Sequence, residues 1–141
     1  MPPKEHSLQH APARVLAVIV AADGRITDNE LGTLERLRAF HRLGISRDDF
    51  VDLAQGCVDD VGHGLHEQSW LRSADLLYLN GLLDAVEDDA LRLLVCRLGA
   101  AALTADGCVR SDERMVYEHA LARWRIRFEQ VSEAIRRDAF H

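Results

Sequence analysis

Apolar residues in this chain come in two kinds of stretch. Ala13–Ala22 and Ala90–Thr104 are apolar on nearly every side, and a helix of that kind is a buried one. They predict two central helices. Elsewhere the apolar positions recur every three or four residues. Leu31, Leu34, Leu37 (or Arg38) and Phe40 predict an amphipathic helix over Asp28–Arg42, with Glu35, Arg36 and Arg42 outward. Phe50, Leu53, Ala54, Cys57 and Val58 give the inner face of the next helix, and Trp70, Leu71, Leu77, Leu82 and Ala85 the stripe of a long one over Glu67–Val86. Helices over Asp112–Trp124 and Phe128–Ala139 close the chain, the last with Val131 and Ile135 expected inside. No stretch has the alternation or the β-branched density of a strand. The pattern predicts an all-α fold of about seven helices.

The polar punctuation is repeated. Ala22-Asp23-Gly24-Arg25-Ile26 through Glu30 returns as Ala105-Asp106-Gly107-Cys108-Val109 through Glu113, 83 positions later, and Glu35 answers Glu118. Each copy follows an apolar run and precedes an amphipathic one, so each is a corner between helices. Gly24 and Gly107 suit a helix stop in the left-handed region, which glycine enters without steric cost. Asp23 and Asp106 can fold onto nearby backbone N–H groups and tighten the turn, while Ile26 and Val109 plug the space between helices. Thr27 and Glu30 have the spacing of a capping box. Arg110 stands where Thr27 stood, which passes the second cap to Ser111 or Asp112. Ser46 with Asp49 gives another cap. After a two-residue shortening, Leu43-Gly44-Ile45 aligns with Trp124-Arg125-Ile126 and Phe50 with Val131. Each half therefore reads buried helix, Asp-Gly corner, amphipathic helix, short turn, covering helix. The best break between the halves is Asp59–Gly64, and each half is too short to bury much core alone. Residues 1–11 form a polar lead expected to be flexible, ahead of one helical domain over 12–141.

Length and composition narrow the partners. A chain of 141 residues with 48% hydrophobic and 28% charged residues has the makeup of an ordinary globular protein. The net charge of −6 is spread mildly over both halves, and no Lys/Arg cluster with interleaved aromatics marks a nucleic-acid face. Cys57, Cys96 and Cys108 lack CxxC spacing and, with no leader visible, read as reduced thiols in the cytoplasm. The longest uncharged apolar runs, Val15–Ala22 and Leu98–Ala105, are far short of the roughly 20 residues of a membrane span.

The two Asp-Gly corners and the Trp124–Ile126 turn with its following helix resemble the TerB-like family, the helical domain named for a tellurite-resistance protein and also found in a membrane-anchored DnaJ-type co-chaperone. The resemblance covers roughly residues 12–139. It implies an all-helical fold of two pseudo-symmetric halves, and a binding or adaptor role in a stress-response system beside membrane-associated protein partners, without enzymatic chemistry. It also implies that acidic residues at the corners hold a divalent cation; by position these are Asp23, Glu30, Asp106 and Glu113. Arg110 departs from the pattern and sets a cation where a metal site prefers none.

The metal reading has its own physics. If the halves pair about a pseudo-twofold axis, the corners converge and offer four carboxylates, oxygen ligands suited to Ca²⁺, Mg²⁺ or Mn²⁺. Each Asp is equally a turn residue and each Glu a helix-start residue, roles that need no ion. An EF-hand is excluded: in that frame loop positions 1 and 3 fall on Ile19 and Ala21, or Ala102 and Thr104, which carry no carboxylate. Cys57, His63 and His66 lie close in sequence but lack a fourth zinc ligand. No Gly-rich phosphate loop or nucleophile elbow is present. Two function classes remain, a non-enzymatic binding module with or without an ion, and a metal-dependent hydrolase built on the same carboxylates, which would need a cleft and an open coordination position.

Overall fold

Nine of the eleven residues of Ala11–Ala21 (α1) are buried, and most of the other described helices pack on this one. The structure, a computed structural model, describes residues 10–21, 26–64, 73–105 and 111–139, except for the side chains of 57–64, 73–78, 111–113 and 138–139. The other described helices are α2 (Asp28–Arg36), α3 (Ala39–Leu43), α4 (Arg47–Gly64), α5 (Ser73–Ala85), α6 (Asp89–Thr104), α7 (Ser111–Trp124) and α8 (Phe128–Ala139). Among the described residues there is no strand and no helix long and apolar enough to cross a membrane. The all-α expectation holds, with eight described helices where about seven were expected.

The repeat seen in the sequence governs the architecture. Up to the middle of the amphipathic helix, element boundaries in the two halves coincide at the spacing of the corner motifs: α1 and α6 end at Ala21 and Thr104, and α2 and α7 begin at Asp28 and Ser111. Beyond it they coincide two residues closer, with Leu43 matching Trp124 and Arg47 matching Phe128. The central helices α1 and α6 pack on each other, and the helices that follow them cross over: α2 packs on α6, and α7 reaches α1. Helix α4 covers α1 as α8 covers α6, and α5 lies on α1 and α7. One buried cluster runs through both halves, including Leu16, Ile19, Leu34, Phe50, Leu83 and Leu98. Phe40 and Phe50 meet in it with ring centroids 5.2 Å apart.

The two missing residues of the second half are located by a break in the first. The helix expected over Asp28–Arg42 is two helices, because Leu37 and Arg38 interrupt it. The Leu37 N–H still donates to the Thr33 carbonyl at 3.1 Å, but the Arg38 N–H turns to Glu35 at 3.0 Å and Arg38 enters the left-handed region at φ 57°. The interruption turns Leu37 outward, 39% exposed, so it is not part of the inner stripe as expected. Helix α7 runs through the same place unbroken.

Two of the caps expected from the sequence form, and the one expected on Ser111 or Asp112 falls on side chains outside those described. Thr27 is the N-cap of α2, and its Oγ1 accepts from the Glu30 N–H at 3.1 Å while the Thr27 N–H donates to Glu30 Oε1 at 3.0 Å. Ser46 Oγ accepts the Asp49 N–H at 3.0 Å at the start of α4. At the matching start of α8 only the reciprocal bond is formed, Arg127 N–H to Gln130 Oε1 at 2.9 Å. The preceding C-termini are matched bond for bond. Ile45 donates to the Phe40 carbonyl at 3.0 Å and Gly44 to His41 at 3.2 Å; Ile126 donates to Leu121 at 2.9 Å and Arg125 to Ala122 at 3.2 Å. Both are Schellman closures that need a left-handed residue. Gly44 supplies it at φ 71° and Arg125 supplies it at φ 57°. The alignment of Leu43-Gly44-Ile45 with Trp124-Arg125-Ile126 is thus a real structural equivalence. The Asp23-Gly24 and Asp106-Gly107 corners lie outside the described residues.

Candidate functional site

Of the four carboxylates singled out by sequence, Asp23 and Asp106 lie outside the described residues. Glu113 is in the first turn of α7, its side chain outside them too. Glu30 is described. It is 4% exposed, and its Oε1 accepts from both the backbone N–H and the hydroxyl of Thr27, at 3.0 and 3.1 Å. A buried carboxylate held in this way is an N-terminal cap, placed where the helix dipole favours negative charge. Among the described residues no group of three or more His, Cys, Asp or Glu is placed to hold a metal ion. The convergence of the corners falls outside those residues; Cys57 and His63 are on α4 with side chains outside those described, and His66 lies outside the described residues.

Cys96 and Tyr117 are buried in the core. Burial pushes the Cys96 thiol up to about 12, which leaves it protonated and inert at neutral pH. The Tyr117 hydroxyl donates to the Cys96 carbonyl at 2.9 Å, and burial raises its pKa further above the ordinary tyrosine value. Tyr117 lies flat on α6 because Gly99 has no side chain; a Cβ there would stand 3.3 Å from the Tyr117 ring. His119 lies on the amphipathic helix α7. It is half-buried and its Nε2 lies 2.7 Å from Asn80 Oδ1, tying α7 to α5. Desolvation, and then the nearby Arg123, hold its pKa below the ordinary histidine value. That contact gives Asn80 a polar partner inside the apolar stripe of α5. The acidic junction Asp84, Glu87, Asp88 and Asp89 is exposed. Asp84 takes two bonds from Arg123, at 2.9 and 2.7 Å, and this hydrogen-bonded guanidinium holds its carboxyl below the usual carboxylate range. Trp124 Nε1 donates to the Leu83 carbonyl at 2.8 Å and Arg92 Nε to the Val86 carbonyl at 2.6 Å, so two side chains close the C-terminus of α5.

A different surface stands out. Val131 and Ala134 of α8 are buried, but Ile135, expected inside, is 41% exposed, and Phe128 is 57% exposed. Inner residues spaced by three leave the i+4 position outside. Beside Phe128 and Ile135 an open groove of about 390 Å³ runs between α6, α7 and α8, floored by Leu103, Tyr117 and Val131. At its rim Arg114 pairs with Glu118 at 2.7 Å, and the Phe128 ring reaches Tyr117 with centroids 6.4 Å apart.

The first half shows what such a position looks like when covered. Ile135 corresponds to Ala54, Val131 to Phe50, Tyr117 to Leu34 and Arg114 to Leu31, and all four of these counterparts are buried. The counterparts of Phe128 and Glu118 are Arg47 and Glu35, which form an ion pair at 3.1 Å between α4 and α2. The second half has replaced that bridge by an exposed phenyl ring. Sequence reading missed this surface because Phe128 opens a helix, where an apolar residue gives no signal about its neighbours.

Comparison with protein-family models, curated proteins and solved structures finds no match to this chain.

Proposed function

We propose that this chain is a non-enzymatic protein-binding module of the TerB-like kind, with the outer face of α8 and the adjoining groove as its contact surface. The observation that carries the reading is the pair Phe128 and Ile135. Both are exposed beside an apolar groove, at positions whose counterparts in the other half are an ion-paired arginine and a buried alanine. Exposed large apolar groups clustered at a groove mark interaction sites, and the groove suits the i, i+3, i+4 side chains of an amphipathic partner helix. The inert Cys96 and Tyr117 support a role in binding. The setting we propose is the one that the resemblance implies, a cytoplasmic stress-response or tellurite-resistance-type system with membrane-associated protein partners. In the same reading Asp23, Glu30, Asp106 and Glu113 hold a divalent cation, Ca²⁺, Mg²⁺ or Mn²⁺, as a brace between the corners.

The surface is tested by selecting displayed random peptides of helical pattern against the wild-type chain and counting those that fail on Ile135→Asp. Enrichment of sequences with apolar residues at i, i+3 or i+4, lost on that variant, supports the reading. No enrichment, or binding indifferent to Ile135, overturns it. The ion is tested by thermal unfolding in EDTA and then in each cation. An ion at 100 times its Kd adds about 2.7 kcal/mol, a shift of roughly 5–10 °C at this size. Loss of that shift in Asp106→Ala supports the brace, and an unmoved midpoint removes it.

A further inference from the structure

Helix α8 carries its exposed apolar residues in one line. At about 100° per residue, Ser132 lies roughly 40° and Ile135 roughly 20° either side of Phe128. Phe128, Ser132 and Ile135 therefore form a stripe two turns long, with the small Ser132 at its middle. Glu129 and Arg136 both stand on the same flank of that stripe, roughly 100° and 80° round from Phe128. The two are exposed, and the same six-residue face, Phe128, Glu129, Ser132, Glu133, Ile135 and Arg136, outlines one shallow depression. An acid near the start of a helix and a base near its end suit the helix dipole. The dipole does not require them to share a flank, nor to bracket an apolar stripe with a small residue at its centre.

A second α8 laid antiparallel across this one, about a twofold axis near Ser132, meets every feature. Phe128 falls against Ile135 of the second copy and Ile135 against its Phe128. Ser132 faces Ser132, letting the backbones approach. Because same-flank positions meet in an antiparallel pair, Glu129 comes beside Arg136 of the second copy, and Arg136 beside its Glu129. From this self-complementary pattern of charge and apolar surface, and resting on the reading of α8 as the contact surface, we infer that the partner which covers this face is a second copy of the chain. The interface is an isologous one. With one 12-residue helix and the groove margin on each side it belongs to the small class that associates weakly and reversibly.

The test is sedimentation velocity of the full chain from low micromolar to about millimolar concentration, with thermal unfolding of each variant as the control for folding. Wild type is expected to dimerise with concentration. Phe128→Asp is expected to weaken dimerisation by about tenfold or more. Glu129→Arg and Arg136→Glu each set like charges together twice, with about a threefold to tenfold loss expected. The double variant Glu129→Arg/Arg136→Glu restores both pairs and is expected to dimerise within about twofold of wild type. That rescue belongs to the antiparallel register, and removal of general charge would not produce it. A chain that stays monomeric throughout overturns the inference, and so does a dimer indifferent to these changes or a double variant no better than the singles. A monomer that still selects peptides through Ile135 would leave α8 as the contact surface and remove only the second copy from it.

Discussion

Arg125→Gly should stabilise this protein and Gly44→Ala should destabilise it, by similar amounts. The two positions do the same job. Each ends a helix in the left-handed region and donates one bond of a Schellman closure, at 3.2 Å in both cases. A residue with a Cβ is strained there by about 1–2 kcal/mol, while glycine pays about 0.5–1 kcal/mol more than alanine for the freedom it loses on folding. The difference leaves roughly 1 kcal/mol in favour of glycine. At Arg125 this is a gain, since the exposed arginine side chain has little burial to lose. At this chain length it corresponds to a shift of roughly 3–5 °C in the midpoint. Thermal and urea unfolding of wild type, Arg125→Gly, Gly44→Ala and the double variant measure it directly. The double variant should return close to wild type, because the two turns lie in different halves and changes at separate sites add. If Arg125→Gly leaves the midpoint unchanged or lowers it while Gly44→Ala is costly, the equivalence of the turns is wrong. The arginine would then hold its turn for some reason other than backbone geometry.

Three further predictions test other parts of the structure. Glu30→Ala removes the side-chain half of a buried capping box, the two bonds that Thr27 gives to Oε1, while the backbone N–H of residue 30 keeps its bond to Thr27 Oγ1; it should cost about 1 kcal/mol in EDTA, where no ion contributes, whereas Glu30→Gln keeps an acceptor and should cost less; equal midpoints for all three proteins would remove the cap as the reason for this residue. The folded state holds the pKa of His119 below its ordinary value, so the unfolded chain takes up the proton first as pH falls. Its contribution is therefore intact above about pH 6.5 and lost as pH drops below that, by at most about 1.4 kcal/mol per unit. His119→Gln should flatten the difference in stability between pH 7.5 and 5.5, and an unchanged pH profile would refute the assignment. Trp124→Phe leaves the Leu83 carbonyl without its indole donor and opens space beside it; about 1–3 kcal/mol should be lost in urea unfolding, and a neutral substitution would show that water takes over the bond.

What could be read from the sequence was local. Thr27 with Glu30, and Ser46 with Asp49, are three-residue spacings whose bonds close within one turn, and they form as expected. The repeat was legible because the Asp-Gly corners fall between apolar runs, and it carried the correct equivalence of Gly44 and Arg125 despite their different chemistry. The break at Leu37 and Arg38 was not legible. Leu31, Leu34 and Leu37 keep a helical period through it, and a left-handed arginine has no signature of its own. Nor was the outward face of α8, since Val131 and Ile135 have helical spacing as good as Val131 and Ala134, and only packing against α6 decides between them. The contact of His119 with Asn80 joins residues 39 apart, beyond the reach of any periodicity.

A protein built twice from one pattern carries its own control. Where the halves agree, as in the element boundaries, the two Schellman turns and the buried Phe50 and Val131, the agreement is what the shared fold requires. Differences are then of two kinds. Some are compensated within the structure: Gln130 supplies the reciprocal bond where the Ser46-type cap is gone, and Gly99 makes room for Tyr117 where the first half has Leu16 and Leu34. The change from Arg47 and Ala54 to Phe128 and Ile135 is of the other kind. It gives up an ion pair, leaves two large apolar side chains exposed, and opens a groove beside them, and among the described residues the one ring contact that Phe128 gains is with Tyr117. Burial of those side chains would be favourable by about 25 cal/mol per Å², so the fold forgoes stability there that its other half retains. Such a departure from the local rules of the fold is where a function is to be sought, and it points to α8 ahead of the caps at the corners.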